Sequence, residues 1–199
     1  MRKKLFAMLT ALVMVMSCGL TTMAATVGLA TIDTNKTGSI TIYKYDKTTA
    51  ESDGIASDSY VASGEVNTAA EQTYADYAIE GVEFTYLKVA DIVTHSVVDS
   101  TTGAASIRVL YGLNSLTNAT FVSLGLDTAD AIKTENGLTY YTSDTLIDML
   151  ADANQNKAVA TKNTLENFVT TNTGTAMPLT SAAGKTSAQD LPVGLYLVV

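Results

Sequence analysis

Ser39-Ile40-Thr41-Ile42-Tyr43-Lys44-Tyr45-Asp46 alternates as a β-strand does, successive side chains taking opposite faces. Ile40 and Ile42 share one face and Lys44 falls in phase with them. Thr41, Tyr43 and Tyr45 take the other. The stretch therefore places a lysine where the pattern asks for a third core residue. A lysine sealed in apolar surroundings loses affinity for its proton, and the neutral amine is a nucleophile. A lysine at the strand's end instead runs its stem along apolar surface and keeps its ammonium in water. Periodicity alone leaves both readings open.

The chain has 199 residues, enough for one domain of ordinary size with additions. Its first 24 residues read as a secretory signal peptide. Arg2, Lys3 and Lys4 form a positive start, and residues 5–16 form an apolar run too short to span a bilayer. Thr22 and Ala24 supply the small residues a signal peptidase requires, with cleavage between Ala24 and Ala25. A lipoprotein anchored through Cys18 is a weaker alternative, because Met16 fits the lipidation motif poorly. Export by this Sec route makes a secreted protein the expectation. Loss of Arg2, Lys3 and Lys4 takes the formal charge from −8 to −11. So acidic a surface argues against nucleic acid or anionic lipid as a partner. Cys18 is the only cysteine and leaves with the signal peptide. The mature chain then has no thiol nucleophile, no cysteine metal site and no disulfide, although its compartment permits disulfides.

Residues 25–37 read as a flexible leader, and the first strand follows. Residues 47–78 are rich in Ser, Thr, Asp and Glu and read as an exposed loop with a short ordered piece near Tyr74. Residues 79–89 alternate as a second strand. Residues 92–98 and 107–111 flank a turn containing Gly103 and predict a hairpin. From 114 to about 172 the texture becomes helical. One helix is predicted over 143–153, with Ser143 as its cap and Leu146, Ile147, Met149 and Leu150 as its apolar face. A second is predicted over 161–169 on Leu165, Phe168 and Val169, with 154–157 between them. Strand texture then returns: a short piece at 177–179, a turn around Gly184, a tight turn at Leu191-Pro192-Val193-Gly194, and a strong strand over 195–199. That strand runs to the last residue without a cap, so the domain is expected to be incomplete at its C-terminus.

Residues that carry chemistry are scarce. His95, the only histidine, lies in a strand-like run and reads as structural. Its neighbour Ser96 cannot form a triad with it by adjacency, because nucleophile and base must meet across a fold. Asp127, Asp130 and Glu135 match no calcium loop, and no glycine-rich loop cradles a phosphate. The tyrosines are spread along the chain without forming a stacking platform. No metal, cofactor or catalytic residue is expected, and a secreted enzyme is the least supported class.

Three stretches, taken together, resemble the N-terminal part of a sortase-assembled (Spa-type) major pilin of Gram-positive bacteria with the collagen-adhesin B-type (Cna B-type) fold. They are Thr37-Gly38-Ser39-Ile40-Thr41-Ile42-Tyr43-Lys44-Tyr45-Asp46, then Ile79-Glu80-Gly81-Val82-Glu83-Phe84-Thr85-Tyr86-Leu87-Lys88-Val89, then Leu191-Pro192-Val193-Gly194-Leu195-Tyr196-Leu197-Val198-Val199. The resemblance covers 37–199 in outline and is specific at these stretches. It implies a mainly β, Ig-like sandwich over 38–199 with the helical insertion at about 114–172. It implies too that Lys44 is the amine of an internal isopeptide bond. In such domains the lysine of the first strand bonds to an asparagine or aspartate of the last strand, helped by a buried acid. Neutral amine and protonated acid are the forms that burial favours, and holding the groups together lowers the barrier further. Acid, acceptor, pilin-motif lysine and sorting signal are all expected beyond residue 199.

The function so implied is that of a structural shaft subunit in a covalently polymerised cell-surface pilus. Its partners would be other pilin subunits joined by sortase, and its location the cell wall. The alternative of the same fold is a surface adhesin or minor pilin, contacting host or neighbour-cell ligands through residues 47–78.

Overall fold

The computed structural model describes residues 32–55, 68–98 and 100–199, with the backbone alone over 152–158. Cys18, Ala24 and Ala25 lie outside the described residues. The chain is mainly β, 38% strand and 34% helix, and its sheets are antiparallel.

β1 (Thr37–Tyr43) pairs with β7 (Lys185–Pro192) in a two-stranded sheet. β2 (Thr85–Val98) is the spine of a six-stranded sheet. Asp91 pairs with both Gly112 and Gly194, and Tyr86 with both Thr175 and Val198. One residue has a neighbour on each side only, so β3 (Ala105–Asn114) and β6 (Thr175–Ala176) share one edge of β2 while β8 (Gly194–Val198) takes the other. β5 (Leu138–Thr142) continues the sheet beyond β3, and β4 (Lys133–Glu135) closes it.

β8 shows how the layers stack. Leu195 and Leu197 join a core with Tyr111, Tyr141 and the helical residues Phe121, Leu146, Leu165 and Val169. Tyr196 and Val198 join a second core with Ile40 and Leu191 of the two-stranded sheet. Side chains alternate in a strand, so the six-stranded sheet carries helices on one face and the β1–β7 pair on the other. A strand buried on both faces reads as a continuous apolar run, as Leu195-Tyr196-Leu197-Val198 does.

The helical layer is α3 (Ser115–Leu124) and α4 (Ser143–Thr171). Asn114 caps α3 by accepting from the Thr117 N–H at 2.8 Å, and Gly125 ends it in the left-handed region. The cap of α4 is Thr142, one residue before the expected Ser143. Two helices were expected over 143–169, and the structure has one of 29 residues. The expected break, 154–157, contains neither Gly nor Pro, so nothing in it stops propagation. Leu146, Met149, Leu150, Leu165, Phe168 and Val169 are buried as the pattern implies, but Ile147 is 45% exposed and belongs to the outer face.

Residues 47–78, expected as a loop with a short ordered piece near Tyr74, have a 3-10 turn at that piece, Ala75–Tyr77, and carry in addition α1 (Lys47–Ser52) and α2 (Thr68–Thr73). Asp46 caps α1, accepting from the Thr49 N–H and hydroxyl at 3.1 and 2.8 Å. Ala50, Ala70 and Tyr74 form a small third core with Tyr45 packed against it. The second expected strand also differs. Residues 79–84 lie outside β2, tied to 180 rather than to a ladder: buried Thr180 donates to the Ile79 carbonyl at 2.8 Å and accepts from the Val82 N–H at 2.9 Å. The rest of that expected strand, from Thr85 on, and the expected strand at 92–98 are one strand interrupted by a bulge between Lys88 and Ala90. The predicted hairpin is the β2–β3 pair, in register from Asp91↔Gly112 to Val98↔Ala105. Among the described residues no helix is long and apolar enough to cross a membrane.

Candidate functional site

Lys44 follows directly on β1, in phase with Ile40, which is 1% exposed, and with half-buried Ile42. Its N–H donates to the Gly184 carbonyl at 2.8 Å, and its own carbonyl accepts from the Ile79 N–H at 2.9 Å. Here the chain leaves β7 as neighbour and takes up residues 77–79, through the Tyr45↔Ala78 bridge. The backbone is therefore gripped on the same edge by two segments distant in sequence. Lys44 itself is half-buried.

The core beneath β1 gathers the three stretches that the sequence singles out. Ile40 and Ile42 come from the first, Phe84 and Tyr86 from the second, and Leu191, Tyr196 and Val198 from the third. Tyr196 is 4% exposed. Its hydroxyl donates to the Pro192 carbonyl at 2.6 Å, and its ring lies 6.1 Å from that of Tyr86. The bond spans the crossing from β7 to β8, where the chain changes sheets. Leu191-Pro192-Val193-Gly194, expected as a tight turn, is the step between two layers, with Leu191 and Pro192 still in β7 and Gly194 already in β8. Burial pushes the Tyr196 phenol up to about 12, with Tyr86 and Asp91 adding to the effect.

On the opposite face of β1 the fold does what the sequence does not announce: it brings tyrosines together. The rings of Tyr43 and Tyr45 stack with centres 6.3 Å apart, and Tyr45 stacks on Tyr74 at 5.5 Å. The Lys185 ammonium lies 5.2 Å from the centre of the Tyr43 ring and 3.8 Å from a Glu71 oxygen. Tyr43 above all, then Glu71, holds the Lys185 pKa above its ordinary value. The row ties Tyr74, directly after α2, and Glu71 of α2 to the two-stranded sheet.

The remaining candidates are engaged locally. His95 is half-buried in β2, directly opposite Arg108. Asp127 accepts from the Ala129 N–H at 2.8 Å. Glu135 pairs with Lys133 at 2.7 Å, and that ammonium holds its carboxyl below the ordinary value. Asp127 and Asp130 add to the burial that raises the Tyr141 phenol. Among the described residues no three His, Cys, Asp or Glu side chains are grouped to hold a metal ion.

No protein-family model, curated protein or solved structure matches this chain.

Proposed function

We propose that this chain is a structural subunit of a covalently polymerised pilus, exported and attached to the cell wall of a Gram-positive bacterium by sortase. In this reading the domain is an Ig-like sandwich of the Cna B-type, with α3, α4 and the β4–β5 hairpin as its insertion. One observation carries the reading. The three stretches that resemble a major pilin lie far apart in sequence, yet they supply most of one core. A chance resemblance in three places gives no reason for them to pack together. Predominance of antiparallel strands also supports the reading. Its test is whether the protein taken from the cell wall runs as covalent oligomers under denaturing conditions.

Lys44 is the proposed amine of an internal amide bond to an asparagine or aspartate. Nζ attacks the side-chain carbonyl carbon, and ammonia leaves from asparagine or water from aspartate. Such a bond would supply the covalent fastening that a mature chain without cysteine lacks. The expected result is an intact mass, for the mature protein from its host, one ammonia or one water below the sequence value. Lys44→Ala should abolish that loss. A wild-type mass equal to the sequence value would remove Lys44 from this role.

A further inference from the structure

We infer that the free edge of β1 is a strand-pairing site whose occupant is β1 of a second copy of this chain. Lys44 donates to Gly184, so in the antiparallel pattern Ile42 and Ile40 also turn their backbone groups toward β7. Thr41 and Tyr43 then turn theirs the other way, and among the described residues no strand pairs with β1 on that side. Other outer strands carry the features that discourage pairing. β4 has three residues, two of them charged, and β6 has two residues. β7 bends at Asp190, whose φ is 56°, and ends in Pro192. β8 is buried along its whole length. β1 runs for seven residues with no charge and no proline, and it bears Thr, Ile and Tyr.

The sequence of β1 is complementary to itself across a two-fold axis. Outward-turned residues must face outward-turned residues, which allows Thr41 to lie opposite Thr41 of the second copy. In that register Tyr43 faces Ser39 and Ile42 faces Ile40 on the core side. Lys36, just before β1, faces Asp46, just after it, so opposite charges meet at both ends. Lys36 and Asp46 are both exposed. The product is a four-stranded sheet, β7–β1–β1–β7, in place of two two-stranded ones, closed by an isologous contact. This pairing does not depend on the pilus reading.

The test is sedimentation velocity of the protein over a concentration series, with thermal melting of each variant in parallel. Wild type should show a reversible dimer. Thr41→Pro removes an N–H that points away from β7, and Thr41→Lys sets two ammonium groups opposite each other on the axis. Each should weaken dimerisation at least tenfold, and for Thr41→Lys the melting of the monomer should stay unchanged. A wild type that stays monomeric throughout the series would overturn the proposal. So would a folded Thr41→Lys variant that dimerises as tightly as wild type, whatever Thr41→Pro does.

Discussion

Gly184→Ala is expected to destabilise the protein by about 3 kcal/mol or more, among the larger effects of any single substitution. Two costs combine. Gly184 sits at φ +68°, where a residue with a Cβ loses about 1–2 kcal/mol. A Cβ there would also run into the Lys44 carbonyl oxygen and stand 3.3 Å from both Cα and Cβ of Ala78. These neighbours are not flexible side-chain ends that can swing away. The Lys44 N–H is bonded to the Gly184 carbonyl, and the Gly184 N–H closes a turn onto Ser181 at 2.7 Å. The substitution therefore separates β1 from β7 where Lys44 is held. Urea unfolding measures it; a loss below about 1 kcal/mol would mean that this junction is looser than the geometry indicates.

Tyr196→Ala should cost about 3–5 kcal/mol, the usual penalty for deleting a buried aromatic ring. The ring fills the core shared by the three stretches, so the loss falls on the packing that holds the two sheets together. Tyr196→Phe separates the hydroxyl from the ring and should cost about 1 kcal/mol for the bond to Pro192. The phenol also sets an alkaline limit. Its pKa is about 12 in the fold and about 10 in the unfolded chain, so the unfolded chain ionises first. Above about pH 10 the unfolded state binds fewer protons than the folded one, and stability falls as pH rises toward 12. The contribution is fully present below pH 10 and amounts to about 2–3 kcal/mol. In Tyr196→Phe the decline over that interval should be shallower by that amount. An identical decline in both proteins would show that Tyr196 is not the group responsible.

Strands were legible where one or both faces are buried and the phase is unbroken. β1 and β8 are of this kind, and the alternation of Ile40 and Ile42 against Tyr43 and Tyr45 matches the two cores on either side of β1. β2 looks like two strands in the sequence because the bulge between Lys88 and Ala90 shifts the phase by one residue; Val89 and Ala90 both enter the same core. β7 leaves no strand signal in the sequence because Lys185-Thr186-Ser187-Ala188-Gln189-Asp190 is polar. Its place is fixed by pairing with β1, which no local pattern records. The β4–β5 hairpin did have a signal. Asn136 and Gly137 sit at φ 52° and 77°, the conformation that an Asn-Gly pair between two strands favours. Alternation puts Tyr43 and Tyr45 on one face of β1, but that Tyr74 joins them is not legible, since it lies just after α2, which is too short to show a period. Lys44 is legible as an oddity of phase, and the structure adds the junction at which Gly184 and Ile79 grip its backbone on one edge.

The proposal that this chain is a pilus subunit requires that it be joined covalently to copies of itself. Denaturing electrophoresis of cell-wall extracts, probed for this chain in a sortase-bearing host and in the same host without sortase, tests it most directly. The expected result is a ladder of oligomers that survives boiling in detergent and collapses to the monomer when sortase is absent. Monomer alone in the sortase-bearing host would contradict it.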